Sequence, residues 1–126
     1  MYFKRIFTKS IAHYSYIIGD GNELAVIDPQ ADVDIYLNLA REAGMKISMI
    51  LETHRNEDYL VGSRALSQLT GGKVYIWKYE DLDYEYGEKI GEDQVFKMGN
   101  IRIEVLHTPG HTLGHLSYLL YYKDKP

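Results

Sequence analysis

Short runs of apolar and β-forming residues, separated by turn-forming residues, predict several β-strands. Residues 14–18 form one such run and residues 23–27 another, with a Gly-Asp-Gly-Asn segment between them. An Asp-Pro pair at positions 28 and 29 ends the second run. A turn segment flanked by two such runs is typical of a β-hairpin, so we expect residues 14–27 to fold as one.

Two longer segments have the three- and four-residue spacing of apolar positions that predicts an amphipathic helix. In the first, residues 32–43, Asp32 or Asp34 is the candidate N-cap and Gly44 is the stop. The second covers residues 60–69 and ends at the Gly71-Gly72 pair. The predicted apolar faces are Val33, Leu37 and Ala40 in the first helix, and Val61, Ala65 and Leu69 in the second.

Nearly continuous apolar runs follow each predicted helix, at residues 47–51 and 74–77. Runs of this length after a helix are typical of strands that are buried on both faces, which gives the order β-α-β twice. The acidic, tyrosine-rich stretch 80–93 has no clear period and predicts a solvated loop with a short strand.

A second hairpin is expected from residues 94–98 and 101–106, around Gly99-Asn100. Residues 116–122 predict a last strand. We therefore expect an α/β fold with a mixed β-sheet and both helices on one face of it. The side chains expected in the core of the second hairpin alternate along its second strand and are Ile101, Ile103 and Val105.

Composition narrows the class of protein. With 126 residues, 45% of them hydrophobic, the chain fits one globular domain. A net charge of -4 argues against a nucleic-acid or anionic-membrane partner. The sequence has no cysteine, and the N-terminal residues form neither a signal peptide nor a membrane span, so we expect a cytoplasmic protein.

Four of the five histidines occur in two segments that follow predicted strands. His54 comes directly after the apolar run 47–51 and Glu52-Thr53, at a strand end where open α/β sheets gather ligand groups. Residues 107–115 contain three histidines around a Pro-Gly turn, and clustered imidazoles suit a divalent metal. The sequence therefore offers two candidate site segments, and the second has the residue types that a divalent metal prefers.

The order and spacing of these features resemble the first half of the metallo-β-lactamase superfamily. The sequence is most similar to persulfide dioxygenases and the related hydroxyacylglutathione hydrolases, whose motifs read Glu-Thr-His-x-His-x-Asp-His and Thr-Pro-Gly-His-Thr. The resemblance covers essentially all of the chain. It implies one half of an αββα sandwich, with residues 1–126 as a single domain that is truncated before the C-terminal half.

Matching the motifs residue by residue gives the candidate site. The resemblance implies that His54 and His111 are metal ligands, and that Asp58 is both a ligand and the catalytic carboxylate. His107 and His115 match positions that neighbour the ligand, so we expect them to pack or to form hydrogen bonds. We expect His13 to be a structural or surface residue.

Two positions depart from the family pattern. Asn56 and Tyr59 stand where the family has imidazoles, and an amide or a neutral phenol is a poor zinc ligand. In the family a further ligand Asp lies on a strand beyond the Pro-Gly-His-Thr loop, roughly where this sequence ends. We therefore expect one zinc or iron ion at most, bound weakly or not at all by the isolated chain.

Three functions stay open. If a partner or a longer native chain supplies the missing Asp, two histidines and one carboxylate form a triad that suits non-haem iron, and the oxidation of a thiol persulfide is then the inferred reaction. Thioester hydrolysis of the hydroxyacylglutathione type is the alternative enzyme, in which a metal activates water. The third is a non-catalytic relic or interaction subunit. We also expect self-association or a partner that supplies the missing half, because a half-sandwich exposes apolar sheet surface.

Overall fold

The computed structural model describes residues 1–8, 13–53, 57–77, 87–90, 94–107 and 116–123. None of the helices within these residues is long and apolar enough to cross a membrane. The two helices are α1 (Asp34–Ala43) and α2 (Glu57–Thr70). The strands are β1 (Tyr2–Thr8), β2 (His13–Asp20), β3 (Glu23–Ile27), β4 (Lys46–Leu51), β5 (Lys73–Trp77), β6 (Gly87–Ile90), β7 (Val95–Met98), β8 (Ile101–His107) and β9 (Leu116–Tyr122).

The larger sheet is mixed, with six strands in the order β1-β2-β3-β4-β5-β6. Strands β1 to β3 pair antiparallel and β3 to β6 pair parallel. This confirms the first hairpin and both β-α-β units, with α1 and α2 as the connections between parallel strands. Strand β1 was not predicted, because Lys4 and Arg5 interrupt its apolar residues. Charged residues are common on edge strands, where they oppose pairing with another chain.

Helix α1 packs on one face of this sheet through Tyr36 and Ala40, with Leu37 partly buried beside them. The predicted cap was wrong, because the N-cap position is Val33. The carboxylate of Asp32 instead accepts a hydrogen bond from the amide of Asp34, at 3.2 Å. Gly44 ends the helix as predicted, with a φ of 66° that glycine adopts without strain.

Helix α2 begins three residues before the predicted start and ends at Thr70, where Gly71 follows with a φ of 74°. Its predicted face was partly wrong: Leu69 is 64% exposed, whereas Leu66 is fully buried. A single period does not show which face of a helix meets the sheet, and the backbone of the loop after β3 decides it here. Gly62 lies so close to the carbonyl of Gln30 that a Cβ would collide with it.

Strand β4 is buried on both faces, as predicted. Ile47 and Ile50 join the core under the helices, and Leu51 joins the core on the other face. Ile47 and Ile50 share a face although they are three residues apart, because the pairing with β3 skips Ser48.

A second, three-stranded antiparallel sheet covers the other face in the order β7-β8-β9. The predicted alternation in β8 is confirmed, since Ile101, Ile103 and Val105 are at most 2% exposed. The layers are therefore helices, mixed sheet and second sheet. Of the acidic stretch, residues 87–90 form the expected short strand, and residues 80–86 and 91–93 lie outside the described residues.

Candidate metal centre

Buried polar side chains gather at the carboxyl ends of β3 and β4. Asp28 follows β3 directly, and Glu52 and Thr53 follow β4. Asp28 is 6% exposed and Glu52 is 2% exposed. Polar groups are costly to bury unless they are bonded, so a cluster of this kind at the end of two parallel strands marks a candidate site.

Asp28 ties the two strand ends together. Its amide donates to the carbonyl of Leu51 at 2.9 Å. Its carboxylate accepts hydrogen bonds from the amide of Thr53 at 2.7 Å and from the Thr53 hydroxyl at 2.5 Å. Its φ of 54° lies in the left-handed region, where Asp is more common than most residues. The position directly before His54 is thereby attached to the neighbouring strand.

Burial raises the pKa of the Asp28 carboxyl to about 7, against the opposing effect of the two hydrogen bonds from Thr53. Desolvation disfavours the ionised form, whereas donors to the carboxylate favour it. The desolvation is the larger effect here, so this carboxyl titrates near neutral pH.

Tyr118 of β9 reaches the same cluster from the second sheet. Its hydroxyl donates to the carbonyl oxygen of Glu52 at 2.6 Å. The residue as a whole is partly exposed, but its hydroxyl lies in the interior. Burial, followed by the carboxylates of Asp28 and Glu52, raises the pKa of this hydroxyl well above its usual range, so it remains a neutral donor.

The structure does not describe the side chains of the candidate ligands, and it places only residues that are near them in the chain. His54, His111 and His115 lie outside the described residues. Asp58 lies in the first turn of α2, although its side chain is not among those described. Among the side chains that the structure does describe, no three histidine or carboxylate groups converge as a metal site would require. The ligand set therefore stays a prediction.

The described residues that flank the two motif segments nevertheless lie close together. His107 is the last residue of β8 and pairs with Leu116, the first residue of β9. Tyr118, two residues further along β9, touches Glu52, two residues before His54. Two strand residues span only about 7 Å, so the strand end that leads into His54 lies at the same edge of the sandwich as the two strand ends that flank the His111 segment.

A family model described as the metallo-beta-lactamase superfamily matches residues 11–124, which include both motif segments. This chain belongs to the metallo-β-lactamase superfamily. Solved structures agree with the assignment. A metallo-beta-lactamase from Staphylococcus aureus subsp. aureus COL superposes with a TM-score of 0.86 at 32% identity, over 96% of this chain and 38% of that one. ETHE1 from Myxococcus xanthus gives 0.85 at 28% identity, over 95% and 54%.

Curated relatives of this metallo-β-lactamase-superfamily chain are named hydroxyacylglutathione hydrolase. The protein from Maricaulis maris is 34% identical over 109 residues, which are 84% of this chain and 42% of the relative. The protein from Pseudomonas aeruginosa strain LESB58 is 33% identical over 113 residues, with the same two shares. The chain thus spans less than half the length of the curated relatives it matches.

The side chains outside the histidine motifs that contribute to the candidate site were not predicted. Asp28 was expected only in a turn, and Tyr118 only as part of a strand. One signal was present: the inward positions of β9 are Tyr118, Leu120 and Tyr122, and a buried tyrosine usually needs a partner for its hydroxyl. The partner could not be named, because Glu52 is 66 residues away in the chain.

Proposed function

We propose that this chain carries a site for a single metal ion that acts on small thiol derivatives, and that its reaction is the oxidation of a thiol persulfide. The observation that carries the proposal is the hydrogen bond from Tyr118 to Glu52. It brings the strand after the His111 segment to the strand end before His54. The similarity to hydroxyacylglutathione hydrolases and to ETHE1 supports the same broad class.

The proposed ligands are His54, His111 and Asp58. Two imidazoles and one carboxylate are the donor set of non-haem iron oxygenases, and they also suit zinc. Asn56 and Tyr59 offer a neutral amide and a neutral phenol at the positions where a second metal would need imidazoles. This donor set fits one ion and does not fit a pair.

When bound, the metal would supply a Lewis-acidic centre, and with iron a redox-active one. In the overall reaction a thiol persulfide, dioxygen and water give the thiol and sulfite, so the outer sulfur is oxidised and dioxygen is reduced. The chain's own residues contribute rigidity. Asp28 holds Thr53 by two hydrogen bonds, so the backbone that leads into His54 starts from a fixed point.

Thioester hydrolysis is the second candidate, and the names of the curated relatives favour it. The absence of imidazoles at Asn56 and Tyr59 weighs against it, because two zinc ions normally share that work. The same two residues favour a third possibility, a non-catalytic interaction subunit. Metal content and activity distinguish these three functions.

Metal content tests the proposed ligands. The chain is reconstituted with Fe(II) under anaerobic conditions or with Zn(II), dialysed mildly and analysed by plasma mass spectrometry. We expect at most one weakly held ion per chain, lost in His54→Ala and in His111→Ala and retained in the matched control His107→Ala. Metal that stays bound in both ligand variants contradicts the assignment.

Activity distinguishes the reactions. With the iron-loaded chain and a small-thiol persulfide we expect dioxygen uptake and sulfite, and neither with His54→Ala. Hydrolysis of a hydroxyacyl thioester of glutathione, without dioxygen uptake, would favour the second candidate. A chain that binds no metal and turns over neither substrate would favour the interaction subunit.

A further inference from the structure

The three residues before His54 are held by contacts from two other strands or strand ends of the larger sheet. The carbonyl of Leu51 accepts from the amide of Asp28. The amide of Glu52 donates to the carbonyl of Tyr75 in β5, at 3.2 Å. The amide of Thr53 donates to the Asp28 carboxylate at 2.7 Å. All of these contacts lie within the larger sheet.

The carbonyl of Glu52 is the exception, because its donor comes from the second sheet. This donor is the Tyr118 hydroxyl, at 2.6 Å. Its ring projects from the inward face of β9, in line with Leu120 and Tyr122, which pack in the core between the sheets. Among the contacts described on residues 51–53, the hydrogen bond from the Tyr118 hydroxyl is thus the one that links the two sheets.

The hydroxyl lies in the interior near two carboxylates, those of Asp28 and Glu52, yet it donates to a main-chain carbonyl. A side chain that bonds to the main chain restrains the position of the backbone, whereas a bond to a carboxylate would restrain only another side chain. The chemistry of the group fits this task, since a phenol that stays neutral at physiological pH keeps its proton for donation.

We propose that Tyr118 is a positioning residue for the metal site, and that its hydroxyl holds the strand end that leads into His54 against β9, the strand that follows the His111 segment. This inference rests on the proposed function. Without the hydroxyl the two sheets still pack through their apolar side chains, but the backbone before His54 loses its link to the strand that follows His111. Groups that orient metal ligands from outside typically change metal affinity by about 10- to 100-fold when they are removed.

The test compares Tyr118→Phe with Tyr122→Phe in the full chain. Both variants keep the ring and lose one hydroxyl from the same face of the same strand, so Tyr122→Phe is the matched control. Titration with Co(II), followed by its visible absorption, gives the metal affinity. We expect Tyr118→Phe to bind about 10-fold or more weakly, and Tyr122→Phe to bind as the wild type does. Equal affinity of Tyr118→Phe and wild type would overturn the proposal while leaving the proposed function in place.

Amide hydrogen exchange provides a readout that needs no metal and that a general loss of stability does not imitate. We expect exchange at Glu52 and Thr53 to accelerate in metal-free Tyr118→Phe, and to match the wild type in Tyr122→Phe. Thermal unfolding of both variants checks that they are folded to the same extent. Unchanged exchange at these two amides overturns the positioning role. A wild-type chain that binds no Co(II) defeats the proposed function instead, and with it any role of Tyr118 in a metal site.

Discussion

At the scale of single residues, Asp28 affects both the stability of the fold and the geometry of the candidate metal site. It combines a left-handed backbone, burial and two hydrogen bonds from Thr53 within one residue. Asn is the other residue that readily adopts this backbone conformation, and it has nearly the same shape. Asp28→Asn therefore removes the charge and one acceptor while leaving the turn intact.

The raised pKa of Asp28 predicts a pH-dependent stability. The carboxyl titrates near 3.8 in the unfolded chain and at about 7 in the folded one. Both states are protonated below about pH 4, and between pH 4 and 7 only the unfolded state loses its proton, so the free energy of unfolding falls as the pH rises. The loss is at most about 4 kcal/mol. Urea denaturation at pH 4.5 and 7.5 should show a smaller difference for Asp28→Asn than for the wild type.

Asp20 provides the control for this pH dependence. A hydrogen bond from the backbone amide of Asn100 lowers the pKa of this partly exposed carboxyl, so its contribution is present at pH 4.5 and above and is lost only at lower pH. Asp20→Asn should leave the difference between pH 4.5 and 7.5 unchanged. The same pH dependence in Asp28→Asn and in the wild type would show that Asp28 does not titrate in this range.

At the scale of elements, helix α2 and the loop after β3 determine each other's position. Gly62 lies against the carbonyl groups of Pro29 and Gln30, with no room for a Cβ. The loop is also held from the other side, where the amide of Gln30 donates to the hydroxyl of Tyr36 at 2.7 Å. This loop continues directly from Asp28, so the packing of α2 supports the site.

Gly62→Ala is therefore expected to destabilise the fold, although alanine ordinarily stabilises a helix by about 1 kcal/mol relative to glycine. We expect a loss of about 1–3 kcal/mol, because the loop must move to admit the methyl group. Gln68→Ala, at an exposed position of the same helix, should change stability by less than about 0.5 kcal/mol. Chemical denaturation gives both values. A Gly62→Ala variant as stable as the wild type would contradict the close packing.

The sequence predicted those features that depend on residues close together in the chain. It did not predict those that depend on contacts between distant residues. Apart from β1, the strands and the helix ends at Gly44 and Gly71 follow from local patterns, and the structure confirms them. Leu69 was assigned to the core on spacing alone, yet it is 64% exposed. The orientation of α2 comes from Gly62 against Gln30, and no local pattern contains that contact.

At the scale of the whole molecule, two apolar surfaces are not covered by any part of the chain that the structure describes. One lies at the edge strand of the larger sheet, where Phe3 and Phe7 are each more than half exposed. The other is the outer face of the second sheet. The register places three side chains there that are between 37% and 45% exposed: Val95, Leu106 and Leu119.

Self-association of the chain remains our expectation, since exposed apolar surfaces commonly mark interfaces. Light scattering from about 1 to 100 µM should show a mass that increases with concentration. Leu119→Lys should shift the equilibrium towards the monomer, because a charge would be buried in the contact. Gln68→Ala serves again as the control. A strictly monomeric wild type throughout this range would rule the association out.

The sequence by itself determined the α/β class, most strand boundaries and the family, because each depends on residues that are neighbours in the chain or on a motif of fixed spacing. Tertiary structure decided which helix faces are buried, how the second sheet packs and which residues complete the candidate site. Asp28 meets Thr53 across two parallel strands, and Tyr118 meets Glu52 across two sheets. Such contacts depend on how separate elements pair and pack, and no local pattern in the sequence contains them.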